Sequence, residues 1–129
     1  MTSANTFGLS KIGQIAVNVH DIDRAVEFYR DVLGMDFVFS VPKMAFFMCG
    51  DVRLMLTTPE RPEFDHPASL IYYAVDEIDS AVATLKERGV EFEGEPAVVH
   101  ETERSQLWMV FLRDPDGNVL AVMSEKSKE

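Results

Sequence analysis

An eight-residue segment occurs twice in this chain, and that duplication limits what the chain can fold into. Val19-His20-Asp21-Ile22-Asp23-Arg24-Ala25-Val26 returns 56 residues later as Val75-Asp76-Glu77-Ile78-Asp79-Ser80-Ala81-Val82, with five of the eight positions identical. Each copy runs on into a helical pattern that closes at a glycine, first Gly34 and then Gly89. An extended segment holding Phe37 or Phe92 follows each glycine. The chain is therefore a tandem duplication of one supersecondary unit.

In the first copy Ile22, Ala25, Val26, Tyr29, Val32 and Leu33 recur at the spacing of one helical face, and Ile78, Ala81, Val82 and Leu85 repeat the pattern in the second. Asp21 stands where an N-cap belongs, and Gly34 can take the left-handed exit. Arg24, Glu27, Arg30, Lys86 and Glu87 fall on the outer surfaces of these helices and read as solvation. An apolar strand precedes each helix, Ile12 to Val19 and Ser69 to Val75. Further strands are expected at Asp36 to Val41, Met44 to Cys49 and Val52 to Thr57, then at Val90 to Gly94, Gln106 to Arg113 and Val119 to Ser124. Gly50-Asp51 and Asp114-Pro115-Asp116-Gly117 supply turns.

The order is βαβββ, twice, in one domain spanning 1–129. Module one covers about 10–58, a proline-rich linker 58–67, module two about 68–124, and a polar tail 125–129. The predicted fold is α+β, with the two modules forming a curved mixed sheet of eight strands around one ligand cup and the helices on its convex side.

Composition narrows the function classes. Hydrophobic residues make up 47% of the 129 and charged residues 26%, the balance of a globular domain. Twelve basic residues, scattered along the chain, stand against 22 acidic ones for a formal charge of −10, so nucleic acid is not an expected partner. Met1 to Ser10 lacks the pattern of a signal peptide, and no apolar run approaches the roughly 20 residues of a membrane helix. No membrane association and a cytoplasmic location are expected. The single cysteine, Cys49, follows Phe46, Phe47 and Met48 and reads as a packing residue in a strand.

Val19-His20-Asp21 followed by Phe28-Tyr29-Arg30-Asp31-Val32-Leu33-Gly34-Met35 resembles the first-module signature of the vicinal-oxygen-chelate superfamily, the group of glyoxalases, bleomycin-resistance proteins and dioxygenases. Phe111-Leu112-Arg113-Asp114-Pro115-Asp116-Gly117-Asn118 resembles its second-module turn. Both motifs stand in order, and with the duplication the resemblance covers about Ile12 to Ser124. It implies the paired-module fold, which hosts isomerases, dioxygenases, thiol transferases and proteins that only bind drugs.

In metal-using members of that superfamily, four positions on the inner sheet faces hold a divalent ion. By motif spacing the resemblance carries them onto Gln14, Met55, Leu70 and Ala121. Leucine and alanine offer no donor and a lone thioether is a soft, weak one, so no metal and no other cofactor is expected. His100, Glu101 and Glu103 have suitable chemistry to rebuild a site, but they read as a solvated loop without the periodicity to hold their donors on one side.

Strand alternation then defines the lining of the cup. If Gln14 faces inward, so do Ala16 and Asn18; if Met55 does, so do Arg53 and Thr57. The second module adds Leu70, Tyr72, Ala74, Val119, Ala121 and Met123. Trp108 lies on a neighbouring strand in a register the pattern leaves open. The candidate ligand-binding residues are thus Gln14, Asn18, Arg53, Met55, Leu70, Tyr72, Trp108 and Ala121. Gln14 and Arg53 also read as ordinary strand residues, and Tyr72 and Trp108 as core aromatics. No catalytic residue is assigned, since no nucleophile–base pair, phosphate-cradling loop or zinc-spaced cysteine set is present.

The expected function is metal-independent binding of a small organic molecule, as in drug or metabolite sequestration. The alternative is a glyoxalase-like lyase or isomerase with a metal site rebuilt from loops. A homodimer is the expected assembly, from the habit of the superfamily and the limited core of a chain this size.

Overall fold

The computed structural model describes residues 7–59 and 61–128. Residues 1–6 of the segment read above for a leader, Glu60 of the linker and Glu129 of the tail lie outside the described residues.

The chain order is β1 (Gln14–Asn18), α1 (Ile22–Glu27), a wider π turn (Phe28–Val32), β2 (Asp36–Val41), β3 (Met44–Cys49) and β4 (Val52–Thr57). A 3-10 turn (Pro62–Phe64) precedes β5 (Ile71–Ala74), α2 (Ile78–Glu87), β6 (Ala97–Glu101), β7 (Ser105–Arg113) and β8 (Val119–Ser127). Both helices start where the duplicated segment places an acidic cap. The Asp21 carboxylate accepts from the Arg24 N–H at 3.0 Å, and the Glu77 carboxylate accepts from the Ser80 N–H at 2.9 Å. The first helix ends on an i to i+5 bond from the Leu33 N–H to the Phe28 carbonyl. Gly34 follows at φ +75°, a conformation a side chain resists, which turns the chain into β2.

Each module forms its own four-stranded mixed sheet, in the orders β1-β4-β3-β2 and β5-β8-β7-β6. The strand beside each helix pairs in parallel with the last strand of its module, and the remaining pairs are antiparallel. This corrects the expected single curved sheet of eight strands around one cup. Among the described residues no strand pairs across the modules, and neither sheet closes or curls on itself. The physical reason lies in how the modules meet. Val17, Leu54, Leu56 and Phe47 of the first sheet, Val110, Leu112, Leu120 and Val122 of the second, and Ala25, Val26, Ile78 and Val82 of the helices bury into one shared cluster. The helix-bearing faces are thus joined by side-chain packing, and sheet edges are not fused by backbone pairing. At the β1 edge, the Asn18 carbonyl takes the Asn118 side-chain amide of the other module at 2.9 Å.

A buried carboxylate crosses the same boundary. Asp114, in the turn between β7 and β8, accepts from the Tyr29 hydroxyl, the Asn118 side-chain amide and the backbone N–H groups of Asp116 and Asn118, each at 2.9 Å. Four donors satisfy a carboxylate that would otherwise be costly to bury.

Five strands differ from those expected: β1 and β5 are shorter at both ends, β7 starts one residue earlier, and the sixth and eighth strands change most. Val90 to Gly94 is not a strand; only Phe92 makes an isolated bridge, to Leu112. The edge position is filled by β6, which includes His100 and Glu101. The last strand continues past Ser124 to Ser127, because β7 is equally long and pairs with it from Ser105 to Arg113. No helix among the described residues is long and apolar enough to cross a membrane.

Candidate functional site

Side chains that turn away from the shared core define one outward face on each sheet. On the first sheet register aligns Gln14, Arg53 and Met48 in one row, and Ala16, Met55, Phe46 and Phe39 in the next. A register shift between Phe37 and Phe39 lets the edge strand serve both sides: Phe37 meets Phe47 edge-on toward the core, while Phe39 stacks on Phe46 with ring centroids 4.8 Å apart.

The polar group of this face is a pair. The Arg53 Nε–H donates to Gln14 Oε1 at 2.7 Å, and the guanidinium carbon lies 5.6 Å from the centre of the Phe46 ring. The Gln14 amide nitrogen reaches toward the Met55 sulfur at 3.8 Å. Gln14 thus touches both Met55, placed like it by the resemblance, and Arg53, added by alternation from Met55, with the exposed arginine held on an aromatic platform. Asn18 sits on the same face, and its side-chain amide donates to the His66 carbonyl at 2.9 Å, tying β1 to the segment before β5.

On the second sheet Tyr72, Ala121 and Phe111 form one row, with the Tyr72 and Phe111 rings edge-to-face at 6.5 Å. Tyr72 is 46% exposed, and Leu70, which precedes β5, is 40% exposed. Ala121 is fully buried, so it serves as floor and not as contact surface. Trp108 is not brought to this face. It aligns with Ser124 and shares the parity of the buried Val110 and Leu112, placing it on the core side, where the Lys126 ammonium lies 4.6 Å above its ring. Phe39, Phe46 and Phe111 were missed as candidates. Pairing Phe46 with Met55 and Phe111 with Ala121 would have found them, but cross-strand partners are not written in local alternation.

The ligand set carried over by resemblance can now be tested as chemistry. Met55, Leu70 and Ala121 provide a thioether and two hydrocarbon side chains, and the Gln14 oxygen already accepts from a guanidinium. A divalent cation does not fit four such positions beside a fixed positive charge. The substitute set does not assemble either. A register shift between Val98 and His100 puts His100 opposite Leu107 and Glu101 opposite Gln106, on opposite sides of the sheet. Glu101 is held by Lys128 at 2.6 Å and by the Gln106 amide, and the Lys128 ammonium keeps its carboxyl below the usual range. Glu103 is exposed in the loop beyond β6. Among the described residues no three His, Cys, Asp or Glu side chains are grouped to hold an ion.

A second polar cluster lies at the end of β1. The His20 ring has Nε2 2.9 Å from an Asp65 oxygen and Nδ1 3.3 Å from an Asp116 oxygen, and Arg24 contacts the same Asp116 atom at 3.1 Å. Hydrogen bonding and charge from Asp65, with Asp116 adding to both, push the imidazole pKa up.

The family model described as Glyoxalase/Bleomycin resistance protein/Dioxygenase superfamily matches residues 11–122. The uncharacterized protein YraH of Bacillus subtilis is 27% identical over 126 residues, covering 87% of this chain and 96% of its own. Metallothiol transferase FosB of Staphylococcus epidermidis is 24% identical over 127 residues, covering 94% of this chain and 86% of its own. Among solved structures, TnmS3, an antibiotic binding protein from Streptomyces sp. CB03234, superposes with a TM-score of 0.72 at 24% identity, over 92% of this chain and 98% of that one.

Proposed function

The chain belongs to the Glyoxalase/Bleomycin resistance protein/Dioxygenase superfamily, and from that premise we propose that it binds a planar, largely apolar organic molecule carrying one anionic group, without a metal ion and without transforming it. The observation that carries this reading is the Gln14–Arg53 pair. Where the superfamily's ion would sit, a carboxamide oxygen is bonded to a guanidinium at 2.7 Å, which turns a cation site into an anion site. Phe46 and Phe39 beside it, and Tyr72 with Phe111 on the other sheet, offer rings for a flat ligand to stack on. An antibiotic binding protein is built on the same fold, so the fold accommodates a sequestering role. A cytoplasmic location is part of the same proposal.

Both faces are open in one chain, with Phe39, Val41 and Tyr72 each 45% exposed or more. Contiguous apolar surface of this kind marks an interaction site. We therefore also propose a homodimer in which a second copy covers these faces and encloses the ligand. Sedimentation should give twice the 14.6 kDa of the chain at micromolar concentration, and a particle of single-chain mass would refute it.

The ligand reading is tested by titrating 2-naphthoate and its neutral analogue 2-naphthalenemethanol into parent and Arg53→Ala protein. Losing a charge-assisted bond should weaken the acid by about 1.5–3 kcal/mol, roughly 10- to 150-fold, and leave the alcohol nearly unchanged. Tyr72→Ala should weaken both. Parent-like binding of both ligands by both variants would remove these faces as the site.

A further inference from the structure

A second, chemically different cleft lies where the two modules meet, on the core side of both sheets. It measures about 300 Å³, within the lower range for small-molecule pockets. Its walls come from both copies of the duplicated unit. Met35 follows the first helix, Cys49 ends β3, Tyr73 belongs to β5 and Leu85 to α2, while Leu112 and Val122 form the floor. The floor is buried, at 1% and 5% exposure, and Gly34 and Asp36 at the mouth are open to solvent. The cleft is therefore a half-open apolar recess.

One polar atom in it is unsatisfied. The Tyr73 hydroxyl is buried and has no hydrogen-bond partner among the described residues, whereas its neighbour Tyr29 spends its hydroxyl on Asp114. A buried hydroxyl without a partner is destabilising, and an acceptor on a ligand relieves that cost. Burial also pushes the Tyr73 pKa up, with Cys49 and Asp114 adding to the shift, so the group is a donor throughout the neutral range. Met48 borders both this recess and the Gln14–Arg53 row, but Arg53 and Tyr72 do not line the recess.

We propose that the inter-module cleft is a distinct binding site for a small, neutral, one-ring molecule with a single carbonyl acceptor, its ring on Leu85, Leu112 and Val122 and its oxygen on the Tyr73 hydroxyl. Among the described lining residues none is cationic and Asp36 is acidic, which disfavours an anion. The volume suits a one-ring molecule, at the low end for small-molecule pockets. Cys49 lies in the wall and is the only cysteine of the chain, so it reports occupancy without any engineered label.

The experiment follows alkylation of Cys49 by iodoacetamide, read by intact mass, with acetophenone or its carbonyl-free analogue ethylbenzene present. Acetophenone at twice its dissociation constant should slow alkylation about threefold, and ethylbenzene at the same concentration distinctly less. Tyr73→Phe removes one oxygen, and it should reduce acetophenone to the protection ethylbenzene gives. Leu85→Phe, which fills the recess, should abolish protection by both. Arg53→Ala and Tyr72→Ala should protect as the parent does, which separates this site from the faces proposed above. Equal protection by the two probes in the parent, absence of protection, or protection lost on Arg53→Ala would each overturn the proposal. Far-UV circular dichroism of every variant shows whether it is folded.

Discussion

Removing a single oxygen from Tyr29 tests how the two modules are held together. Tyr29 is 1% exposed and donates to Asp114, 85 positions away in the other module, at 2.9 Å. Burial beside that carboxylate pushes the phenol pKa far up, so the hydroxyl is a fixed donor at every accessible pH. Tyr29→Phe leaves the ring packing against Phe28 and Phe47 intact and leaves the carboxylate three of its four donors. The expected loss is therefore that of one buried hydrogen bond to a charged group, about 1.5–3 kcal/mol. For a chain of this length that corresponds to a fall in Tm of roughly 5–15 °C. Urea unfolding, followed by far-UV circular dichroism and by Trp108 fluorescence at one protein concentration, should show a lower midpoint with an unchanged m-value. The two probes should coincide, because both modules share one core. A loss below about 0.5 kcal/mol, or separate transitions for the two probes, would refute this view of how the modules are joined.

Two further outcomes follow from the geometry. His20 has both ring nitrogens facing carboxylates, and only the protonated ring can donate to Asp65 and Asp116 together. Its folded pKa is raised, so its stabilising contribution is complete below the ordinary value of 6.5 and is lost as pH rises through the raised one. Proton NMR should show His20 titrating above the ordinary imidazole range in the parent and closer to it in Asp65→Asn, and an equal pKa in both would contradict the pairing. Trp108 faces the core side under Lys126, so Trp108→Phe should leave 2-naphthoate affinity unchanged while Tyr72→Ala lowers it in calorimetry; the reverse ranking would put the ligand on the wrong side of the second sheet.

What could be read from the chain was what local periodicity encodes. The duplicated segment revealed both helices, the acidic cap at Asp21 and the glycine exits, because each depends on residues within a turn of one another; the structure adds the equivalent cap at Glu77. The resemblance marked Gln14 and Met55, alternation added Arg53 beside Met55, and Gln14 touches both. What could not be read was set by pairings between distant strands. The irregularities at Val38 and Val99 invert the parity of the edge strands, which brings Phe39 onto the open face and separates His100 from Glu101. The segment Ala97–Glu101 is exposed at every position, so it carries no burial pattern by which a strand could be recognised. Trp108 fell on the core side because register with β8 decides its direction. The expected eight-stranded sheet failed for a related reason: whether two modules join by backbone pairing or by core packing depends on contacts such as Tyr29 to Asp114, which no local pattern announces.

The proposed function has Arg53, bonded to Gln14, take the place that a metal ion holds in metal-using members of the superfamily. Calorimetric titration of 2-naphthoate into chelator-treated protein, repeated after adding zinc, nickel or manganese at one equivalent per chain, tests it most directly. The acid should bind the metal-free protein with an affinity the added ions leave unchanged, and lose about 10- to 150-fold in Arg53→Ala under both conditions. Binding that appears only after a divalent ion is supplied, and that survives Arg53→Ala, would contradict it.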